Sequence, residues 1–97
     1  MNPELALQDS IYEDISNILA NAISFEYACN ELDKYLQVKT DEGILEVQGT
    51  AVIDNGGDGY TAVVEFFFQW NLTNVCSMFV IPKDNPNKAY KRAMSIV

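Results

Sequence analysis

The chain has no histidine. The usual general base near neutral pH and the commonest zinc ligand are therefore missing. Ser-His-Asp and Cys-His catalysis are excluded within the chain. Cysteine is scarce, with only Cys29 and Cys76. Two thiols so far apart in a domain with its own apolar core read as reduced, small apolar groups and not as a disulfide framework. No apolar run reaches the ~18 residues of a membrane span. Met1-Asn2-Pro3-Glu4 has neither the positive region nor the apolar stretch of a secretory signal, so the expectation is a cytoplasmic domain with no membrane partner.

Basic residues are also few: 6 Lys and Arg against 14 Asp and Glu, a formal net charge of −8. The scarcity is uneven. Residues 1–80 hold thirteen acids and two bases, Lys34 and Lys39, for a net of −11. Residues 81–97 hold Lys83, Lys88, Lys91 and Arg92 against Asp84, for a net of +3. A body this negative is repelled by phosphates, which disfavours direct binding to nucleic acid. It is steered instead towards a basic protein surface. Acidic charge also keeps a small domain soluble, so the composition alone serves either end.

What is present supports folding. The 97 residues suffice for one domain, and 48% of them are apolar. Pro3 suits the first position of a short helical turn. Ser10-Ile11-Tyr12-Glu13 has the capping-box pattern, and Ile11, Ile15, Ile18, Leu19 and Ala22 then form one helical stripe, which predicts a helix over 10–24. Ser24 is a candidate cap for a second helix carrying Phe25, Ala28, Cys29, Leu32 and Leu36. Tyr35 to Thr40 also alternates, which predicts that the helix ends near Asp33 and a strand follows.

Beyond Gly43 the pattern turns to strands. Leu45, Val47, Gly49, Ala51 and Ile53 alternate with polar residues. The glycine-rich Asp54–Gly59 reads as a loop. Tyr60, Ala62, Val64, Phe66, Phe68 and Trp70 then share one face of a long strand, with Val63 and Phe67 on the other. Val75–Ile81 is a further strand, ended by Pro82, and Pro86 opens a short C-terminal helix through Ala89, Tyr90 and Ala93. The predicted fold is α+β in a single domain spanning 1–97: N-terminal helices on one face of a roughly four-stranded antiparallel sheet, then a short helix.

Asp54, Asp58, Gly59 and Glu65 stand at positions 1, 5, 6 and 12 of a calcium-type loop. Gly56 at position 3 offers no ligand, Thr61 replaces the usual aliphatic residue, and the flanks read as strands; an ordinary hairpin is the competing reading, and no cofactor is expected. The acidic pairs Glu13/Asp14, Glu31/Asp33 and Asp41/Glu42 lie among polar neighbours, where neither carboxyl gains the raised pKa that acid–base chemistry needs. No nucleophile motif or phosphate-binding loop occurs, so enzymatic activity is not expected. Phe66, Phe67, Phe68 and Trp70 put rings on both faces of one strand, which requires the second face to be covered by the C-terminal helix, a second copy or a partner. Phe67 and Trp70 are the candidate interface aromatics.

Ile11-Tyr12-Glu13-Asp14-Ile15-Ser16-Asn17, with Ile18 and Ile23, resembles the opening helix of a family of immunity proteins that neutralise type VII-secreted nuclease toxins of Gram-positive bacteria. Gly56-Gly57 with Glu65-Phe66-Phe67-Phe68, and Ile81-Pro82-Lys83, are similar to later segments of that family. The resemblance spans about half the chain. It implies an inhibitor of a basic nuclease, but carries over no binding residues. Charge alone leads to the same expectation: an acidic inhibitor, of the immunity or phage anti-defence (anti-CRISPR) type, acting as a DNA mimic. The candidate contacts are Glu13 and Asp14 on the helix and Asp41, Glu42, Asp54 and Asp58 at loop tips. A homo-oligomeric interaction module and a small calcium-binding domain are the alternatives.

Overall fold

The computed structural model describes residues 3–82. In order these form α1 (Pro3–Ala20), α2 (Phe25–Asp41), β1 (Leu45–Asp54), a 3₁₀ turn (Gly56–Asp58), β2 (Tyr60–Phe68) and β3 (Asn71–Val80). The sheet is antiparallel with order β1-β2-β3. Both helices pack on one face, α2 over β1 and α1 over β2 and β3. The described residues are thus α+β, as predicted, but with three strands in place of four. The predicted C-terminal helix lies outside the described residues. No helix among them is long and apolar enough to cross a membrane.

The missing strand is the segment 35–40, which continues α2. Its alternation competes with a helical stripe, and the stripe prevails because Ala28, Leu32 and Leu36, spaced by four, are all buried against the sheet. Local bonds add to this: Thr40 Oγ1 donates to the Leu36 carbonyl at 2.9 Å, and Gln37 Nε2 donates to Asp41 Oδ1 at 2.9 Å. The helix ends where only glycine is comfortable. Gly43 has φ +81°, the Gly43 amide donates to the Thr40 carbonyl, and the Ile44 amide donates to that of Lys39. That is the paired-bond termination typical of a left-handed residue after a helix. At the other end Ser24 Oγ accepts the Tyr27 amide at 3.0 Å, as its position suggested.

Helix α1 begins at Pro3 and ends at Ala20, earlier at both ends than the predicted 10–24. Ser10 is therefore inside the helix and caps nothing. Pro3 occupies the first position, where proline is tolerated, residues 4–9 contain good helix formers and no breaker, and they gain tertiary contacts. Leu7 packs on the core, Trp70 Nε1 donates to Glu4 Oε2 at 2.8 Å, and Gln8 Nε2 lies 3.7 Å from Cys76 Sγ. The predicted stripe is confirmed at Ile11, Ile15 and Leu19, which are fully buried.

Strand β1 departs from simple alternation. The pairing shifts between Val47 and Gly49, so that Val47 faces Phe66 while Gly49 faces Glu65. This bulge inserts one residue, and a one-residue slip exchanges the two faces of a strand. Leu45 and Val47 therefore point to the core, but beyond the bulge that role passes to Val52, which pairs with Ala62. Ala51 and Ile53, expected on the core face with Leu45, stand on the opposite one. The core is completed by Ala62, Val64, Phe66 and Phe68 of β2 with Met78 and Val80 of β3. Phe66 and Phe68 meet edge to face, with ring centroids 5.5 Å apart.

Candidate partner-binding surfaces

The acidic positions fall into two groups. The first surrounds the meeting of α1 with the end of α2. Glu13 is exposed on α1, while Asp14, half-buried, accepts a 2.7 Å hydrogen bond from the Tyr35 hydroxyl on α2. Asp41 and Glu42 are exposed at the end of α2, where Glu42 lies 3.5 Å from Lys39 Nζ. Tyr35 reports the local field. Burial first, then the hydrogen bond to Asp14, then the charges of Asp14 and Glu42 push its phenol pKa up. Lys39 Nζ sits 5.5 Å from the Tyr35 ring centre, adding a cation beside the same ring.

The second group is the β1–β2 hairpin tip. Asp54 ends β1, and its Oδ1 accepts the Gly56 amide at 2.9 Å, which fixes the turn. Asp58 closes the 3₁₀ turn and is exposed. The two groups stand at opposite ends of β1, whose ten residues span about 30 Å. The structure therefore brings Asp14 and Glu42 together around Tyr35, and separately Asp54 and Asp58 at the hairpin tip, but does not bring all six together.

The same ladder separates the calcium-type positions. Asp54 pairs with Tyr60 and Glu65 with Gly49, so Asp54 and Glu65 are five positions apart along the sheet, about 16 Å. Among the described residues no three acidic or sulfur side chains are grouped so as to hold a metal ion. Cys29 and Cys76 are both free and half-buried. Burial, and then the charge of Glu4, push the Cys76 thiol pKa up.

The two candidate aromatics differ. Trp70 is 54% exposed, yet its ring stacks on Phe68 at 5.0 Å and its nitrogen is held by Glu4. It ties the β2–β3 turn to α1. Phe67 is half-buried on the sheet face turned away from the helices. Strand alternation alone placed that face incompletely. It carries Ala51 and Ile53 from β1, Val63 and Phe67 from β2 and Phe79 from β3, with Phe79 55% exposed and Ile53 42% exposed. Glu46 and Glu65 are exposed on it as well. Gly49 inside a strand pattern was the available signal, because an isolated strand glycine often marks a bulge.

No protein-family model, no curated protein and no solved structure matches this chain.

Proposed function

We propose that this chain is an acidic protein inhibitor that binds and occludes a basic, nucleic-acid-handling partner, of the toxin-immunity or phage anti-defence type. One observation carries the reading. None of the thirteen carboxylates among the described residues is buried, and only two bases stand against them. Lys34 is 3.4 Å from Glu31 and Lys39 is 3.5 Å from Glu42, so both cations are already engaged on α2. The surplus negative charge faces solvent, where it attracts a basic surface over roughly a Debye length of ~10 Å at moderate salt.

Carboxylates on a rigid scaffold can stand in for phosphates by accepting the same Arg and Lys donors. The end of α2, with Asp41 and Glu42, is one such array and the hairpin tip another. Each is held by local hydrogen bonds, which lowers the ordering entropy lost on binding. The resemblance of the first helix to immunity proteins points the same way, as does the chain's repulsion from nucleic acid itself.

The test is capture of the partner from the native host at low salt, followed by titration of the purified pair. The reading expects a basic partner, loss of its nucleic-acid-processing activity on complex formation, and an affinity that falls steeply with salt. An acidic partner, or an affinity flat in salt, overturns it.

A further inference from the structure

The helix-free face of the sheet carries a carboxylate at its centre. Glu65 lies on β2, the middle strand, with Gly49 opposite it on β1 and Ser77 opposite it on β3. Both neighbours are small, and a Cβ built at Gly49 meets nothing within 4 Å. The exposed Glu65 therefore stands in a notch across the sheet. Apolar groups border the notch. Val63 with Phe79, 55% exposed, forms one wall, and Phe67 forms the other. Glu46 pairs with Phe67, which sets it diagonally from Glu65 at about 7 Å.

Among the described residues neither Glu46 nor Glu65 pairs with a base. The two ion pairs there, Lys34 with Glu31 and Lys39 with Glu42, both involve lysines of α2, which packs on the other face. An occupant must therefore bring positive charge to the notch and apolar groups to its walls. A second copy of this face fails on charge, because it sets Glu46 and Glu65 against their own copies. Nucleic acid fails likewise, because phosphates would meet carboxylates. A lysine supplies charge alone. An arginine matches both features: its planar guanidinium can lie on an aromatic ring while donating two parallel hydrogen bonds to a carboxylate.

We propose that this face is the docking surface for an arginine that the partner presents among apolar side chains. The guanidinium enters the notch over Gly49, donates to Glu65 and lies against Phe67. The partner's apolar groups cover Val63 and Phe79, and Glu46 receives a second basic group at the rim. Aromatic and arginine contacts of this kind are enriched at interface centres and carry much of their affinity. The inference takes the basic character of the partner from the proposed function, and adds where that charge is read and by which side chain.

A pair of defined peptides tests it on the full chain by NMR. One is a short blocked peptide of leucines and tryptophans around two arginines. The other carries citrulline in place of each arginine, which keeps the shape and removes the charge. The arginine peptide is expected to shift the amides of Gly49, Glu65, Phe67 and Ser77, and to bind about tenfold more tightly than its twin. Glu65→Gln should abolish most of that preference. Gly49→Val fills the notch on an extended backbone and should weaken the arginine peptide about tenfold, while protected β2 amides show that the domain remains folded. Equal binding of the two peptides, shifts confined to the end of α2 or the hairpin tip, or no shift at millimolar peptide overturns the proposal. So does occupation of the notch in the free protein by residues 83–97 or by a second copy. The captured partner separates this surface from the proposed function. A basic partner indifferent to Glu65→Gln and Gly49→Val removes the surface and leaves the function. An acidic partner, with the arginine peptide still seated at Glu65, removes the function and leaves the surface.

Discussion

The Tyr35 hydroxyl of α2 donates a 2.7 Å hydrogen bond to Asp14 Oδ2 of α1. This bond joins the two helices across their polar seam and occupies one oxygen of the Asp14 carboxylate. Its energetics are set by charge, since a neutral phenol donating to a carboxylate makes a stronger bond than a neutral pair.

Tyr35→Phe is expected to lower stability by about 1 kcal/mol near neutral pH, the scale of one partly exposed hydrogen bond. The pH dependence has a definite sign. The folded phenol pKa is raised above its ordinary value, by burial and by Asp14. The fold thus favours the neutral phenol, and this contribution is complete below the ordinary pKa of about 10 and lost as pH rises through the folded value. Denaturant titrations should show the wild-type advantage over Tyr35→Phe shrinking above pH ~10. A difference that stays constant into strong alkali would contradict this.

Gly43 terminates α2 with φ +81°, and an added Cβ there would meet only Gln69 Oε1, at 3.8 Å. The penalty of Gly43→Ala is therefore backbone strain and not a clash, about 1 kcal/mol. Gly49 lies in the β1 bulge with open space around it and no positive φ. Gly49→Ala should change stability by no more than about 0.5 kcal/mol. Thermal melts of the two variants distinguish a glycine required by conformation from one merely tolerated.

Phe66 is fully buried in the middle of β2 and meets Phe68 edge to face. Phe66→Ala should lose about 3–5 kcal/mol through lost burial and the cavity left behind. Trp70→Phe keeps an aromatic ring beside Phe68 and removes the bond to Glu4, so a loss of only about 1 kcal/mol is expected. Chemical denaturation followed by far-ultraviolet circular dichroism compares them without relying on the tryptophan signal.

The two acidic groups make the proposed function sharper. They stand about 30 Å apart along β1. A standard interface buries about 800 Å² on each partner and is centred on one region. Asp41→Asn with Glu42→Gln, or Asp54→Asn with Asp58→Asn, should weaken partner binding by about tenfold, and the other pair far less. Calorimetry with the captured partner reads the difference. Equal losses from both pairs would show a contact running the length of the sheet.

Much of the fold is legible in the amino-acid pattern. The stripe of Ile11, Ile15 and Leu19, the Ser24 cap and the apolar face of β2 follow from local periodicity and capping chemistry, which act over a few residues. The segment 35–40 is ambiguous because its residues satisfy both periods, and only burial of Leu36 against the sheet decides for helix. Composition and spacing single out every acidic candidate but not their grouping, since Asp14 and Tyr35 are 21 residues apart and meet only through helix packing.

The sequence by itself determined an acidic body with a basic end, no histidine chemistry, helices before strands, and a long strand apolar on both sides. These depend on composition and short-range pattern. The tertiary structure alone decided that β1 changes faces at its bulge, that Ala51 and Ile53 join Phe79 on the side away from the helices, and that Glu46 and Glu65 share that face. Register and pairing are long-range properties. Which face a side chain occupies depends on the strand beside it, and no pattern within β1 specifies where the ladder slips.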